Sequence, residues 1–502
     1  HEPQYNYTRQ VDYLSGAAIM LPRGVWTEVG GFSEVFRPAY FEDTDLAFKV
    51  RQLGLKTVYA PHSVVFHFEG LSNGTDISTG LKKYQEINRP KFRKKWINSC
   101  RNNGETGQNV TINKDRGVIY RALLLDYQMP RPDRDAGSYA AIQEIRLLQA
   151  LGCKITFVAE NMAFLGEYNQ QLQRMGVEVI HAPFIQGISS FLQERGREFD
   201  LIYITRYYVA KNHLGAVRQY APQAKILFCN ADLHFLREMR AAIQSGNLEG
   251  MKKAEWIRHE ELEVMKAVDV VLSYNQTEHA VIQSHNGLDS RIALCPWVVD
   301  AVEFSTLYAL RRDIAFIGGF GHPPNQDAVL FFAREIMPGL SQVLPGVRFI
   351  IYGSQIPPTI EALESGNIII GGSVGTVSQV FDTCRVFVAP LKSGAGVKGK
   401  VMDALSYGVP CVLSPLAAEG IHVRDGIEVK IADTREEWIK AVSQVYLDHV
   451  LWQTLSENSL AYIRQHHNFE QGKHLMRKAL EMVDIYPPDA VDSLTFNRSR
   501  IN

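Results

Sequence analysis

The sequence predicts an α/β protein in which two doubly wound parallel sheets follow one another and face a common cleft. From Val118 onward, apolar runs of strand length alternate with amphipathic helical stretches, the βαβ rhythm of a parallel sheet. The rhythm pauses near residue 300 and then restarts, which predicts a second sheet of the same kind. Such sheets bind ligands where the carboxyl ends of their strands meet, so the cleft is the expected site.

The strands are predicted from short runs rich in Val, Ile and Leu, the composition of strands buried on both faces. In the first sheet these runs are "VIYRALLLDY", "KITFVAE", "VEVIHAP", "FDLIYIT", "AKILFCNAD" and "VDVVLSY". In the second they are "DIAFIGGFG", "VRFIIYGS", "NIIIGGSV", "CRVFVAP", "PCVLSP" and "VKIA". Long helices are predicted at "YAAIQEIRLLQALG" and "PNQDAVLFFAREIMPGLSQVL".

Composition limits the class of protein. The chain has 502 residues, enough for about three domains. Its 53 Lys and Arg nearly balance 54 Asp and Glu, so no overall basic field exists to hold nucleic acid. The six cysteines form no C-x-x-C pair, which indicates reduced, mostly buried thiols and favours the cytoplasm. No apolar run approaches the roughly 20 residues that span a bilayer.

The chain divides where its composition changes. The polar stretch "RNNGETGQNVTINKDRG" is typical of a linker and separates an N-terminal α/β segment from the two sheets. The start "HEPQYNYTRQ" is neither a signal peptide nor a normal initiator, so we expect a fragment. The predicted boundaries are a first domain at 1–100, a linker at 101–117, two lobes at 118–296 and 297–470, and a C-terminal helix and tail at 471–502 that return to the first lobe.

A phosphate site is predicted where "GAGVKGKVMDALSYGVP" begins a helix after a strand. Glycines let a backbone approach closely, unpaired N–H groups at a helix start attract anions, and Lys398 and Lys400 can neutralise phosphate. The structural alternative is an ordinary turn at Gly394 and Gly396 followed by solvated lysines. The two tandem sheets favour the functional interpretation.

Together with "FIGGFGHPPNQDAV" and "DRDAGSYAAIQEIRLLQALGCKITFVAE", this stretch resembles glycosyltransferase family 4, retaining enzymes of the GT-B fold. The resemblance covers the chain from about residue 118 to the C-terminus. It implies a nucleotide-sugar donor whose leaving diphosphate meets Lys398 and Lys400, with no cofactor for this module.

The sequence departs from that family at two carboxylates. The family carries one glutamate in the loop and one on the helix, where this chain has Ala395 and the shorter Asp403. Asp403 follows Lys400 by one turn, so we expect it to accept hydrogen bonds from the ribose. Glu419, in "AAEGI", is expected to compensate for the missing loop glutamate. The alternative is that Asp403 is solvated and Glu419 caps a turn.

His234, in "NADLHFLRE", is the predicted catalytic residue of this module, since it matches the position where similar enzymes place a histidine against the donor sugar. Asp232, Arg237 and Arg240 lie beside it at a strand end facing the cleft. A histidine with a purely structural role is the alternative.

Two loops complete the predicted donor site. Gly137 suits close approach to substrate at the start of a helix, where Ser138 is expected to serve as N-cap. Gly319, His322 and Asn325 are predicted to form a second phosphate-facing loop, which also begins a helix through its prolines.

Residues 11–96 resemble the acceptor-side half of glycosyltransferase family 2, inverting enzymes of the GT-A fold, most specifically at "FEDTDLAFKVRQLG". The resemblance implies that Asp43 is the general base, supported by Glu42 and Asp45, and that His67 binds a donor-bound Mg or Mn ion. The alternative is that these acids only complement a helix dipole. The family's nucleotide-binding half should precede "VDYLSGA", so we expect a partial GT-A domain: either the sequence begins inside the domain or the domain has degenerated.

The combined interpretation is a bacterial hexosyl-type glycosyltransferase (EC 2.4) that builds a surface polysaccharide such as an O-antigen. The expected partners are a nucleotide-diphosphate sugar and a glycan or lipid-linked saccharide acceptor, without nucleic acid. The expected location is the cytoplasm, with peripheral association at the inner face of the membrane left open. Two other classes stay open: a sugar-nucleotide epimerase of GT-B fold, and a non-catalytic scaffold, which Ala395 and the partial first domain favour.

The Asp43 assignment leads to a testable expectation. This chain by itself should show no inverting transfer, whereas a longer chain that carries the nucleotide half should transfer sugar in the presence of a divalent metal. Asp43→Asn should abolish that transfer, because an amide cannot accept the acceptor proton. The measurement is the transfer rate together with the anomeric configuration of the product by NMR. A fully active Asp43→Asn enzyme would refute the assignment.

Overall fold

The computed structural model describes residues 2–66, 78–101, 103–105, 107–115, 117–285, 291–295 and 297–489. Its first part is largely helical, and β1 pairs antiparallel with β2. The elements of this N-terminal segment are β1 (Arg9–Gln10), α1 (Arg23–Glu28), a 3-10 turn (Glu34–Phe36), α2 (Glu42–Gln52), β2 (Val58–Tyr59), α3 (Lys83–Lys95), α4 (Ile97–Cys100) and α5 (Val110–Asn113).

The first lobe is a parallel sheet of seven strands in the order β5-β4-β3-β6-β7-β8-β9. Its elements are β3 (Tyr120–Asp126), α6 (Ala136–Ala150), β4 (Cys153–Ala159), α7 (Glu167–Arg174), β5 (Glu178–Ile180), α8 (Ile188–Arg195), a 3-10 turn (Gly196–Glu198), β6 (Leu201–Thr205), α9 (Tyr207–Tyr220), β7 (Lys225–Cys229), α10 (His234–Ser245), α11 (Leu248–Lys266), β8 (Val270–Ser273), α12 (Gln276–Ser284) and β9 (Arg291–Leu294). All six predicted strands are present, and β9 is an additional edge strand.

The second lobe is a parallel sheet of six strands in the order β12-β11-β10-β13-β14-β15. Its elements are a 3-10 turn (Tyr308–Leu310), β10 (Asp313–Ile317), α13 (Pro323–Phe331), a π-helical turn (Phe332–Ile336), α14 (Met337–Val343), β11 (Phe349–Tyr352), α15 (Pro358–Glu361), β12 (Ile368–Gly372), α16 (Ser378–Phe381), β13 (Cys384–Ala389), α17 (Gly399–Ser406), β14 (Cys411–Leu413), α18 (Pro415–Ala418) and β15 (Lys430–Ile431). The helix predicted from Pro324 is interrupted by the π turn, just before Pro338 removes a backbone donor.

Three helices end the described chain: α19 (Arg435–Leu447), α20 (His449–His466) and α21 (Phe469–Glu481). Helix α21 packs on α6 of the first lobe so closely that a Cβ at Gly472 would lie 2.4 Å from Val298 and 3.2 Å from Leu147. The two doubly wound sheets predicted from the sequence are therefore confirmed, and the predicted domain boundaries stay predictions.

Asp45 anchors the N-terminal segment. Its fully buried carboxylate accepts hydrogen bonds from Ser33 Oγ at 2.6 Å and Trp96 Nε1 at 2.7 Å. Lys95 Nζ lies 2.6 Å from the same group. The prediction that Asp45 supports Asp43 in catalysis is corrected: every contact of its carboxylate ties α2 to its own segment, because burial requires each oxygen to be paired.

A buried ion-pair network joins the N-terminal segment to the first lobe. At its centre, Glu178 on β5 accepts hydrogen bonds from Arg195 at 2.7 Å and from Lys154, and Lys114 lies 3.7 Å away. Asp115 accepts from the hydroxyl of Tyr7 in the same cluster. Burial alone would raise the pKa of Glu178, but the surrounding cations hold it well below its usual range.

All six cysteines are free, and all except Cys100 are buried, as predicted. Over the described ranges, no helix combines the length and the apolar character needed to cross a bilayer.

Glu178→Ala should destabilise the fold by about 3–5 kcal/mol at neutral pH, because it leaves buried cations without a partner. The measurement is chemical unfolding, with Glu263→Gln as the control, since Glu263 pairs with Lys266 at the surface. The wild-type advantage should shrink as the pH falls below about 4.5, where the unfolded carboxyl takes up its proton. Equal losses of unfolding free energy in Glu178→Ala and Glu263→Gln would contradict the proposed contribution of the buried network to stability.

Candidate functional site

The start of α17 lies against the strand ends of the first lobe. Gly394 and Gly396 have φ angles of 128° and 71°, a region that favours glycine. A Cβ at Gly396 would come 2.9 Å from Cβ of Asp232, and one at Gly399 would come 2.7 Å from Cβ of Ala136. The small residues of this loop therefore allow the two lobes to touch.

Lys398 is the N-cap of α17 and points back into its own loop. Its Nζ donates to the carbonyl oxygens of Gly396 at 2.6 Å and Ala395 at 3.2 Å. Burial lowers the pKa of Lys398, while Glu419 and Glu278 oppose that shift. The structure thus places a buried cation at the helix start, where the sequence predicted one.

Lys400 joins the loop to the first turn of the second sheet. Its Nζ donates to Oδ1 of Asn325 at 2.5 Å and lies 4.4 Å from the centre of the Phe316 ring. Asn325 in turn donates to the carbonyl oxygen of Gly319 at 2.7 Å. Burial, together with Lys398, lowers the pKa of Lys400 to about 7. The two loops predicted to face phosphate are therefore linked through this lysine.

His322 is the N-cap of α13 and lies beside the cations Arg237 and Lys400. Partial burial, Arg237 and Lys400 lower its pKa, while Asp232 opposes that shift. Arg237 comes from the first lobe and pairs with Asp232 at 2.5 Å. Charged groups of both lobes thus meet beside the loop of Lys398.

Asp403 lies on α17, where burial raises its pKa to about 7. Its charge also helps to raise the pKa of Tyr139 on α6, after burial and Asp300. Asp403 is therefore close to the first lobe, and its expected contact with a ribose stays a prediction.

Glu419 forms an ion pair across the cleft. Its two oxygens accept from Nη1 and Nη2 of Arg240 at 3.0 and 2.8 Å. Arg240 also donates to the carbonyl oxygen of Gly394 at 2.9 Å. Glu419 is also the C-cap of α18, because its backbone N–H donates to the carbonyl oxygen of Leu416, so the alternative that it caps the turn after Pro415 agrees with the structure.

His234 begins α10 immediately after the loop that follows β7. Its Nδ1 lies 3.1 Å from the carbonyl oxygen of Asp232 and 3.3 Å from Oε1 of Glu261. The ring packs edge-on against Tyr207 and Tyr208, with centroids 5.2 and 6.0 Å apart. The imidazole is thus held in one orientation beside the cleft, and its catalytic role stays a prediction.

Gly137 lies in the first turn of α6, where a Cβ would come 3.3 Å from Nη2 of Arg206. The N-cap prediction for Ser138 is wrong. Asp135 is the N-cap, and Ser138 donates to it from both its N–H at 2.7 Å and its Oγ at 2.8 Å. Asp135 serves as the N-cap because its two carboxylate oxygens accept both hydrogen bonds from Ser138.

Sequence reasoning missed Glu278, which connects the two lobes. It accepts from the N–H of Gly396 at 2.6 Å, and burial raises its pKa to about 7. It stands in the first turn of α12 after β8, within "SYNQTEHAV". Residues that follow the carboxyl ends of parallel strands face the cleft, and this argument, which identified His234, would also have identified Glu278.

Arg206, also missed, follows β6 as the N-cap of α9 and has a φ of 73°. Its Nε donates to Asp126 at 3.2 Å and its guanidinium lies 4.5 Å from the Tyr127 ring centre. Burial raises the pKa of Asp126 to about 6, although Arg206 opposes that shift. No sequence signal predicts the positive φ, which depends on tertiary packing.

In the N-terminal segment, Asp43 accepts from the N–H groups of Gly16 and Thr44, each at 2.7 Å. Burial raises the pKa of the neighbouring Glu42, whose Oε2 has no partner among the described residues. His67 lies outside the described residues. Within the ranges that are described, no group of three His, Cys, Asp or Glu side chains is arranged to hold a metal ion.

Two parts of the chain match known protein families. Residues 311–448 match the family described as glycosyl transferases group 1, and residues 1–84 match the glycosyltransferase-like family 2. Two stretches of the chain are therefore similar to glycosyltransferase families. The two lobes form a GT-B fold, and the segment before them contains the match to family 2, as the sequence predicted.

Individual relatives of the chain are distant. An uncharacterized 44.6 kDa protein in the cps region of Klebsiella pneumoniae is 20% identical over 165 residues, 31% of this chain and 42% of that protein. The N-acetylglucosaminyl-diphospho-decaprenol L-rhamnosyltransferase of Mycobacterium tuberculosis is 33% identical over 78 residues, 16% of this chain and 25% of that protein. The chain thus spans less than half the length of these curated relatives.

Among solved structures, the Anabaena protein Alr3699/HepE, in complex with UDP and glucose, superposes with a TM-score of 0.56. The match is 14% identical and covers 72% of this chain and all of that one. At this identity the likeness shows the shared fold.

The cationic cleft should bind anions in a pH-dependent way. Sulfate, whose own charge is constant above pH 4, should bind about tenfold more weakly at pH 8.5 than at pH 7, because Lys400 loses its proton when no anion is near. Calorimetric titration measures this affinity. Lys400→Met should remove most of the pH dependence, whereas Lys252→Met, on the exposed face of α11, should retain it. The same pH profile in both variants would contradict the role of Lys400.

Proposed function

We propose that the GT-B cleft transfers a sugar from a nucleotide-diphosphate sugar to a glycan acceptor with retention of configuration. The observation that supports this most is the convergence of Lys398, Lys400, His322 and Arg237 around the start of α17. Burial lowers the pKa of both lysines, so a diphosphate beside them would favour their charged forms and bind strongly. The UDP that HepE binds in the same fold supports a nucleotide donor.

The geometry suits stabilisation of a leaving diphosphate. As the bond between the anomeric carbon and the phosphate oxygen breaks, negative charge grows on the diphosphate beside Lys398, Lys400 and the N–H groups of α17. In a retaining transfer the acceptor hydroxyl attacks from the same face. The departing phosphate oxygen is then the nearest base, and it takes the acceptor proton. No metal is required in this scheme, and His234 would orient the sugar.

The acceptor is proposed to be a growing surface glycan on a lipid carrier. The relatives support this: one is named for a reaction on a diphospho-decaprenol saccharide, and the other is named for a cps region. The N-terminal segment is proposed to contribute inverting chemistry, with Asp43 as base and His67 as metal ligand, in a longer chain.

A non-catalytic scaffold is the second candidate, because Ala395 replaces the loop glutamate and Arg240 already pairs with Glu419. An epimerase would need acid and base groups on the sugar and would act on the donor alone. Incubating the protein with UDP-, GDP- and dTDP-sugars separates the three: transfer to an acceptor needs both substrates, an epimerase converts donor alone, and a scaffold leaves donor unchanged.

Lys398→Ala should weaken binding of the cognate nucleoside diphosphate by about 1.5–3 kcal/mol, the scale of charge-assisted hydrogen bonds. Calorimetry with UDP, GDP and dTDP identifies the base and measures the loss. Lys252→Ala is the matched control and should bind like the wild type. An unchanged affinity in Lys398→Ala would rule out this placement of the diphosphate.

Glu419→Gln should reduce kcat/KM by one to two orders of magnitude without altering the unfolding midpoint, because a charged hydrogen bond of about 1.5–3 kcal/mol is lost. Arg240→Met tests whether Glu419 acts on the donor directly or through its ion pair with Arg240. If Glu419 contacts the donor directly, Arg240→Met should retain more activity than Glu419→Gln. If both variants lose activity equally, the ion pair itself is what the site requires. Full activity of Glu419→Gln would remove Glu419 from the site.

A further inference from the structure

A second cavity lies at the junction of the N-terminal segment and the first lobe. Its volume is about 670 Å³, within the range of small-molecule pockets. Asn6 and His62 line it from the N-terminal segment, and Phe164, Gln173 and His181 from the first lobe. It lies near the carboxyl ends of β4 and β5, and β4 is three strand positions from β7, or roughly 14 Å along the same edge of the sheet. None of the groups assigned to the donor site lines it.

One wall of this junction pocket is aromatic. The Phe164 ring is 47% exposed, and its centroid lies 4.8 Å from that of His181. Nδ1 of His181 lies 2.8 Å from the carbonyl oxygen of Ala182, which makes Nδ1 the donor and leaves Nε2 as an acceptor. An exposed ring of this kind offers an apolar face to a ligand that also needs hydrogen bonds.

Two buried polar atoms of the pocket lack partners among the described residues. Gln173 is fully buried, and its Nε2 donates no hydrogen bond; its Oε1 is reached only by Asn6 at 3.4 Å. The buried Nε2 of His62 is likewise unpaired. Leaving such groups unsatisfied is costly, and a ligand with hydroxyl groups would satisfy both.

The lining carries little net charge. Arg174 is held by Glu167 at 2.6 Å and by Gln170 at 3.1 Å, so its charge is balanced within α7. Partial burial and Arg174 lower the pKa of His62, which keeps that ring neutral at pH 7. The junction pocket therefore differs in charge from the lysine cluster at the start of α17. Amides and imidazoles combine donors and acceptors, which suits a polyhydroxyl ligand better than a phosphate.

The geometry points to a binding site for a neutral saccharide in the junction pocket, with a sugar ring against Phe164 and its hydroxyl groups on Gln173 and His62. That this saccharide belongs to the acceptor rests on the proposed function. The pocket would then hold a preceding unit of the glycan at the same sheet edge as His234, and the N-terminal segment would help to select the acceptor.

Ligand-observed NMR titration with the methyl glycosides of N-acetylglucosamine, rhamnose and glucose tests the site directly, without nucleotide. We expect at least one glycoside to bind the wild type. Phe164→Ala should weaken that binding by about three- to tenfold, the scale of an aromatic contact. Gln173→Met, which keeps the volume and removes the amide, should weaken it by a similar factor. Phe304→Ala is the matched control, because Phe304 is 82% exposed and absent from the pocket lining.

UDP titrations of the same proteins separate this inference from the proposed function. Phe164→Ala should bind UDP like the wild type, and Lys398→Ala should bind the glycoside like the wild type. Absence of glycoside binding, unchanged binding in Phe164→Ala, or displacement of the glycoside by UDP would overturn the saccharide site. If the protein binds the glycoside but none of the nucleoside diphosphates, only the proposed donor site is overturned. Because Phe164 is exposed, its substitution keeps the test valid even if Gln173→Met fails to fold.

Discussion

Close contact between the loop before α17 and the strand ends of the first lobe is the constraint on which the candidate site depends. Gly396 lies against Asp232, and Gly399 lies against Ala136, at distances that no larger residue would allow. Any side chain at these positions would separate the lobes. The N–H of Gly396 would then lose Glu278, and Arg240 would lose both Glu419 and the carbonyl oxygen of Gly394.

This contact also sets the electrostatics of the cleft. The carboxylates beside the loop are already engaged: Glu278 by a backbone N–H, Glu419 by Arg240 and Asp232 by Arg237. Lys398 and Lys400 therefore have only carbonyl and amide oxygens as direct hydrogen-bond acceptors. Cations that are buried without a bonded counter-ion have lowered pKa values and a strong affinity for an anion. The start of α17 therefore presents two lysines whose charged forms a bound anion would stabilise.

The N-terminal segment is firmly attached to the first lobe. The network of Tyr7, Lys114, Asp115, Lys154 and Glu178 lies in the interior between them, and within the segment Asp45 ties α2 to Trp96. Buried ion pairs of this kind add specificity of packing, since breaking one leaves a charge without a partner. Attachment at β4 and β5 also creates the junction pocket beside the cleft.

Local pattern in the sequence determined the sheets and the main elements of the site. Apolar runs report burial, so twelve strands could be predicted, and the positions of Lys398, His234 and Asn325 followed from the strand ends they succeed. Tertiary structure alone decided which groups pair. Glu419 meets Arg240 at a separation of 179 residues, Gly396 meets Glu278 at 118, and Asp45 meets Trp96 at 51. Periodicity shows that a side chain is buried, but its partner is set by how separate elements pack in space.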